Sequence, residues 1–153
     1  MGDNEMKQKI IFLCLLPIIV SCTSDNDIYK ILYEEWKNQD EKSFVFDFSK
    51  SMGFAWDTMY IYSGKCSLED INNDLGLNYV HWEDTGMHII FIKDKNIVFS
   101  QAWYSVEYNT NEGIDFINLD DKLKFNYNDA VFKVTKKGNF FVLSHIENIL
   151  LSN

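Results

Sequence analysis

Arginine is missing from this chain of 153 residues: all 14 basic side chains are lysine, set against 23 Asp and Glu, and the formal net charge is −9. Sequence-specific recognition of phosphate and base edges leans on bidentate arginine, and nonspecific nucleic-acid binding needs a basic surface. Both are lacking, so no nucleic-acid partner is expected. Proline occurs once, at Pro17, and the seven glycines are scattered singly. A glycine-rich phosphate loop and a Gly-x-Ser-x-Gly nucleophile elbow are therefore absent. Cysteine is scarce too, with Cys14, Cys22 and Cys66 only, too few and too badly spaced for a disulfide framework or a zinc knuckle. Three histidines complete the short supply.

Apolar residues are plentiful, at 46% with 16% aromatic, enough to fill the core of a single domain. The densest run is IIFLCLLPIIVSC, residues 10–22. Its apolar part, 10–20, would reach about 17 Å as a helix at about 1.5 Å per residue. A bilayer core needs about 20 residues. The run also carries Pro17, which a helix interior tolerates poorly. Lys7 and Lys9 stand before it, and Ser21, Thr23 and Ser24 lie at its end. A basic flank, a short apolar run and a small-residue finish make a secretory signal. The tetrapeptide Ile19-Val20-Ser21-Cys22 resembles the lipobox of bacterial lipoprotein signal peptides. That resemblance implies cleavage before Cys22, diacylation of its thiol, and anchoring of the chain to a cell-envelope membrane. The division expected is a signal peptide over 1–21, a polar tether over 22–27 and one domain over 28–153. Cys14 would leave with the signal, and Cys66 would be an unpaired thiol packed as an apolar residue.

Within that domain the hydrophobic period changes several times. Ile28, Ile31, Leu32 and Trp36 share a helical face, with Asp27 placed to cap it. SFVFDF (43–48) and TMYIY (58–62) alternate as strands do. Ser67 stands three residues before Asp70, a variant of the capping box, and Leu68, Ile71 and Leu75 follow before Gly76. Two hairpins are predicted, 87–93 with 97–103 around Asp94-Lys95-Asn96, and 130–136 with 139–144 around Lys137-Gly138. Residues 104–127 are polar and predict a long loop with one weak strand. The fold class expected is α+β: a single antiparallel β-sheet with two helices near the N-terminus of the domain.

Trp56-Asp57 opening the TMYIY strand, followed by SLEDINNDLG (67–76), resembles a piece of small uncharacterised bacterial lipoproteins. The pattern there has Pro-Tyr at the turn where this chain has Gly64-Lys65. The resemblance implies no activity. Site candidates from the residues themselves are few. Trp56 and Asp57 mark a strand entrance, while Trp82 and Trp103 lie near strand ends beside polar loops and could stack on a ligand. His81 and His88 flank Glu83 and Asp84, but the spacing suits neither one helix face nor a knuckle. Neither a metal nor a cofactor is expected.

These features lead to a lipid-anchored envelope protein whose domain binds or scaffolds without catalysis, joined to the membrane through lipid on Cys22. Its acidity is compatible with a basic protein partner, as for an immunity protein or inhibitor that neutralises a basic toxin or enzyme. The enzymatic alternative is a hydrolase of envelope polymers using acidic residues around Asp57.

Overall fold

A computed structural model describes residues 27–39, 43–84, 86–104 and 111–147. The signal-like run, Cys22 and the rest of the tether up to residue 26 lie outside the described residues.

Local chemistry accounts for most element boundaries. Helix α1 (Ile28–Lys37) starts where the Asp27 carboxylate accepts the N–H groups of Tyr29 and Lys30, satisfying donors that the first turn leaves open. It buries Ile28 and Leu32 and exposes Glu34 and Glu35. Strand β1 (Ser43–Asp47) runs into a single helical turn, α2 (Phe48–Ser51), capped by Asp47. Strand β2 (Thr58–Tyr62) precedes α3 (Leu68–Leu75). The predicted capping box is formed in α3: Ser67 accepts from Asp70 N–H, and the Asp70 carboxylate accepts from Ser67 N–H. Gly76 ends that helix at φ +63°, the left-handed conformation a C-cap favours. The first predicted hairpin is β3 (Gly86–Lys93) with β4 (Asn96–Tyr104). Its two turn residues, Asp94 and Lys95, have φ of +48° and +62°, the two positive values of a type I′ turn. Strands β5 (Gly113–Phe116) and β6 (Lys122–Asn126) follow. The second hairpin is β7 (Val131–Lys137) with β8 (Phe140–His145), with Gly138 at φ +60°.

The expectation of one antiparallel sheet with two helices is wrong. Two four-stranded sheets are present, ordered β1-β7-β8-β5 and β4-β3-β2-β6, with three helices among the described residues. The β5–β8 pair is parallel. The protein is a mostly β, two-sheet fold. The strands visible in the sequence do not join one ladder: β1, β7 and β8 pair among themselves, as do β2, β3 and β4, and 104–127, read as a loop with one weak strand, adds β5 to the first set and β6 to the second. Phe44, Phe46, Phe116, Phe132, Phe141 and Leu143 from the first sheet share one core with Met59, Ile61, Ile89, Phe91 and Phe125 from the second. Helix α1 touches both: the Tyr29 ring packs 5.6 Å from Trp103 of β4 and 5.2 Å from Phe141 of β8.

A second apolar layer lies on the outer face of the β2–β3 sheet. Tyr62, Ile71, Tyr79 and Ile90 form it, supported by Leu68, Leu75, Trp82 and Ile97. Strand β3 is thus covered on both faces, and Gly86 through Phe91 are all buried. Residues from both its faces read as one apolar run for that reason.

Candidate functional site

The four candidates on the domain are not brought together. Trp56 is buried in the shared core, packed 5.1 Å from Phe91 and 5.0 Å from Tyr127. Trp103 is half-buried under α1. Asp57 is half-exposed and occupied: Lys93 Nζ lies 2.7 Å from one carboxylate oxygen, and the N–H of Asp94 donates to the other at 2.9 Å. Lys93 first, then the Asp94 N–H, holds this carboxyl below its usual range. Asp57 therefore braces the β3–β4 turn. Cys66 is half-buried, not fully packed away, and its thiol donates to the Asp121 carbonyl at 3.3 Å. Burial raises its pKa, the opposite of what a nucleophilic thiol requires.

Trp82 leads to a different place. Residues 77–84 form neither helix nor strand and cross the outer face of β3 and β4. Between this segment and β4 lie two concavities of about 380 and 420 Å³. The first is lined by Leu77, Val80, Lys95 and Ile97, the second by Glu83, Ser100, Gln101 and Ala102, and Tyr79 and His81 belong to both. Together they make a polar groove along β4, an edge strand of its sheet among the described residues. Val80, Val98 and Tyr104 are exposed nearby.

The groove wall is held from beneath by His88. Its ring is fully buried on β3 and makes both of its nitrogen contacts to the covering segment. Nε2 lies 3.0 Å from the Glu83 carbonyl, which can only accept, so Nε2 carries the proton. Nδ1 lies 3.2 Å from the oxygen of the Tyr79 hydroxyl, whose single proton goes to the His81 carbonyl at 2.6 Å. Trp82 stacks on the same imidazole, with ring centres 6.4 Å apart and planes 12° from parallel. Burial depresses the His88 pKa, opposed in part by the Glu83 carbonyl and carboxylate. One tie comes from elsewhere: the Asn72 side chain of α3 accepts the Tyr79 N–H at 2.7 Å, while Ser100 acts on the Tyr79 hydroxyl and Tyr104 on the Glu83 side chain. Glu83 raises the Tyr104 pKa.

A smaller concavity of about 330 Å³ lies between α3 and β6, lined by Tyr62, Lys65, Cys66, Asp70, Asp74, Asp121 and Lys122. There the Tyr62 hydroxyl donates to Asp74 at 2.6 Å while Lys122 pairs with the second oxygen. Among the described residues, no group of three or more His, Cys, Asp or Glu is placed to hold a metal ion.

In the sequence His81, Glu83 and His88 stand out only as a set whose spacing does not suit a metal, and Tyr79, Ser100 and Tyr104 do not stand out at all. The available signal was an aromatic and polar stretch, NYVHWED (78–84), standing before a wholly apolar strand. No protein-family model, curated protein or solved structure matches the chain.

Proposed function

We propose that this protein is a lipoprotein of the bacterial cell envelope, anchored through Cys22, whose domain binds a partner without catalysis along the β4 groove. The observation that carries the binding half is the groove itself. It is open and polar, has exposed Val80, Val98 and Tyr104 beside it, and runs along an edge strand. An edge offers backbone donors and acceptors, and flanking pockets offer specificity, which suits an extended polypeptide. The site's reactive groups already have structural work. His88 and Glu83 bind the covering segment and Tyr104, and Asp57 of the hydrolase alternative braces a turn. The −9 charge favours a basic protein as partner, and an inhibitor of a basic toxin is one such case.

The anchoring half is carried by the lipobox and is tested directly. Labelled fatty acid should enter the wild type and not Cys22→Ser, and label remaining in the variant would remove the anchor. For the binding half, a photo-crosslinking residue at Val80 or Tyr104 should capture one basic partner in the host's membranes. The same residue at Val45, exposed on the far sheet, should not. Equal capture from both faces would remove the groove from the proposal. Capture should weaken as salt rises, since screening shortens from about 30 Å at 0.01 M to about 8 Å at 0.15 M.

A further inference from the structure

The segment that walls the groove meets one titratable ring of the sheet at two points. Residues 77–84 have no helix or strand of their own, so side-chain ties decide whether they lie down. Near the start of the segment, the Tyr79 hydroxyl oxygen meets His88 Nδ1; near its end, the Glu83 carbonyl accepts the Nε2–H hydrogen bond, and Trp82 stacks on the ring between them. We propose that neutral His88 is an acid-sensitive latch: a proton taken from water onto Nδ1 releases segment 77–84 from the sheet and takes down one wall of the β4 groove.

The argument depends on what surrounds the ring. From the covering segment it faces Tyr79, the His81 carbonyl that Tyr79 also serves, and Glu83. From β2 it faces Tyr62, its cross-strand partner, whose hydroxyl is committed to Asp74 of α3. On β4 its partner is Ala102, flanked by Ser100, which acts on Tyr79, and Tyr104, which acts on Glu83. Its strand neighbours Met87 and Ile89 are apolar. The Glu83 carboxylate is the one charged group in this set near the ring, and it also acts on Tyr104. An imidazolium here would gain a second N–H donor, to Tyr79, but it would have two neutral oxygens in place of a hydration shell. Burying a cation on those terms is unfavourable. Burial also depresses the folded-state pKa, which agrees in sign: protons bind the open form more readily, so acid favours opening. Opening sacrifices few backbone hydrogen bonds, since the segment belongs to no ladder. Its main costs are exposure of Tyr79 and Trp82 and loss of the Tyr79–Asn72 bond.

The consequence for ligand access rests on the groove reading above, but the latch is measured on the full chain alone, without ligand, so the two can fail separately. Hydrogen exchange read by mass spectrometry gives backbone opening of 77–84, and the imidazole C2 proton gives the titration of His88. Corrected for intrinsic pH dependence, the opening constant should be flat above about pH 7.5. It should then rise up to tenfold per pH unit below the ordinary histidine value of about 6.5. Protection in β7 and β8 should stay unchanged. His88→Gln, which keeps a neutral donor and acceptor, should abolish the pH dependence, while His81→Gln should retain it. Four results would overturn the latch. They are His88 titrating at or above pH 6.5, opening that ignores the His88 titration in the wild type, a pH dependence that survives in His88→Gln, and one lost in His81→Gln. The first two need no variant, so an unstable substitution does not spoil the test.

Discussion

Asp57 behaves as a structural acid, and its surroundings predict how it titrates. Lys93 and the Asp94 N–H both favour the carboxylate, so its folded-state pKa lies below the ordinary 3.8. A depressed carboxyl contributes stability above the unfolded pKa and loses it as pH falls through the folded value. Asp57→Ala should therefore lower the melting temperature at pH 7 by a few degrees. Asp57→Asn should lower it less, because an amide oxygen still accepts the Asp94 N–H. Thermal scans should show the wild-type advantage fading below about pH 3.8. An advantage of undiminished size at pH 2.5 would mean the stabilisation is not carried by charge. The sequence marked Asp57 because it follows Trp56 at a strand entrance. It could not show the partner, since Lys93 is remote in sequence and adjacent only through β2–β3 pairing.

At the scale of elements, the two hairpins and α3 were legible because their signals lie within a few consecutive residues. Ser67 with Asp70 and Gly76 bracket one helix, and Asp94-Lys95 and Gly138 turn two chains. The β3–β4 turn nevertheless carries a cost. Lys95 sits at φ +62°, where an L side chain is disfavoured by roughly 1–2 kcal/mol. Glycine relieves that strain but loses roughly 0.5–1 kcal/mol of chain entropy on folding. Lys95→Gly should thus stabilise the protein by up to about 1 kcal/mol, read as a higher denaturant midpoint at unchanged slope. A lower midpoint would show that the Lys95 side chain contributes a contact beyond its turn. Strand β4 also departs from regular hairpin pairing. Between its pairings of Ile97 with Ile92 and Phe99 with Phe91, Val98 is the extra residue of a bulge and is exposed. A bulge on an edge strand twists it and discourages unselective pairing with other chains.

At the scale of the whole molecule, the defining feature is a core shared by two sheets, and Phe132 stands near its middle. Its ring centre lies 5.5 Å from Phe48, 5.4 Å from Phe116 and 5.0 Å from Phe125 of the facing sheet. Phe132→Ala should cost about 3–5 kcal/mol in denaturant unfolding, as full truncation of a core aromatic does. In a single sheet with one wet face, an outward Phe132 would cost far less, so the measurement also separates the two architectures. A loss under about 1 kcal/mol would favour the single sheet.

The amino-acid sequence alone determined the caps of α1 and α3 and the turns of the two hairpins, because each depends on neighbours within about one helical turn or one hairpin. It also determined the acidity and the absence of arginine. Tertiary structure alone decided the division into two sheets. Strands β5 and β6 carry only two apolar side chains each, Ile114 and Phe116 in one and Leu123 and Phe125 in the other, inside a stretch otherwise rich in Asn and Asp. Their assignment comes from Ile114 pairing with Phe141, and Phe125 with Met59. The groove has the same origin. Ser100 and Tyr104 are ordinary strand residues until 77–84 is laid across their face, and His88 becomes a buried anchor only when Tyr79 and Glu83 meet it there. Hydrogen bonds between residues far apart in sequence, and burial shared by two sheets, depend on the arrangement of the whole chain, and no window of neighbouring residues contains it.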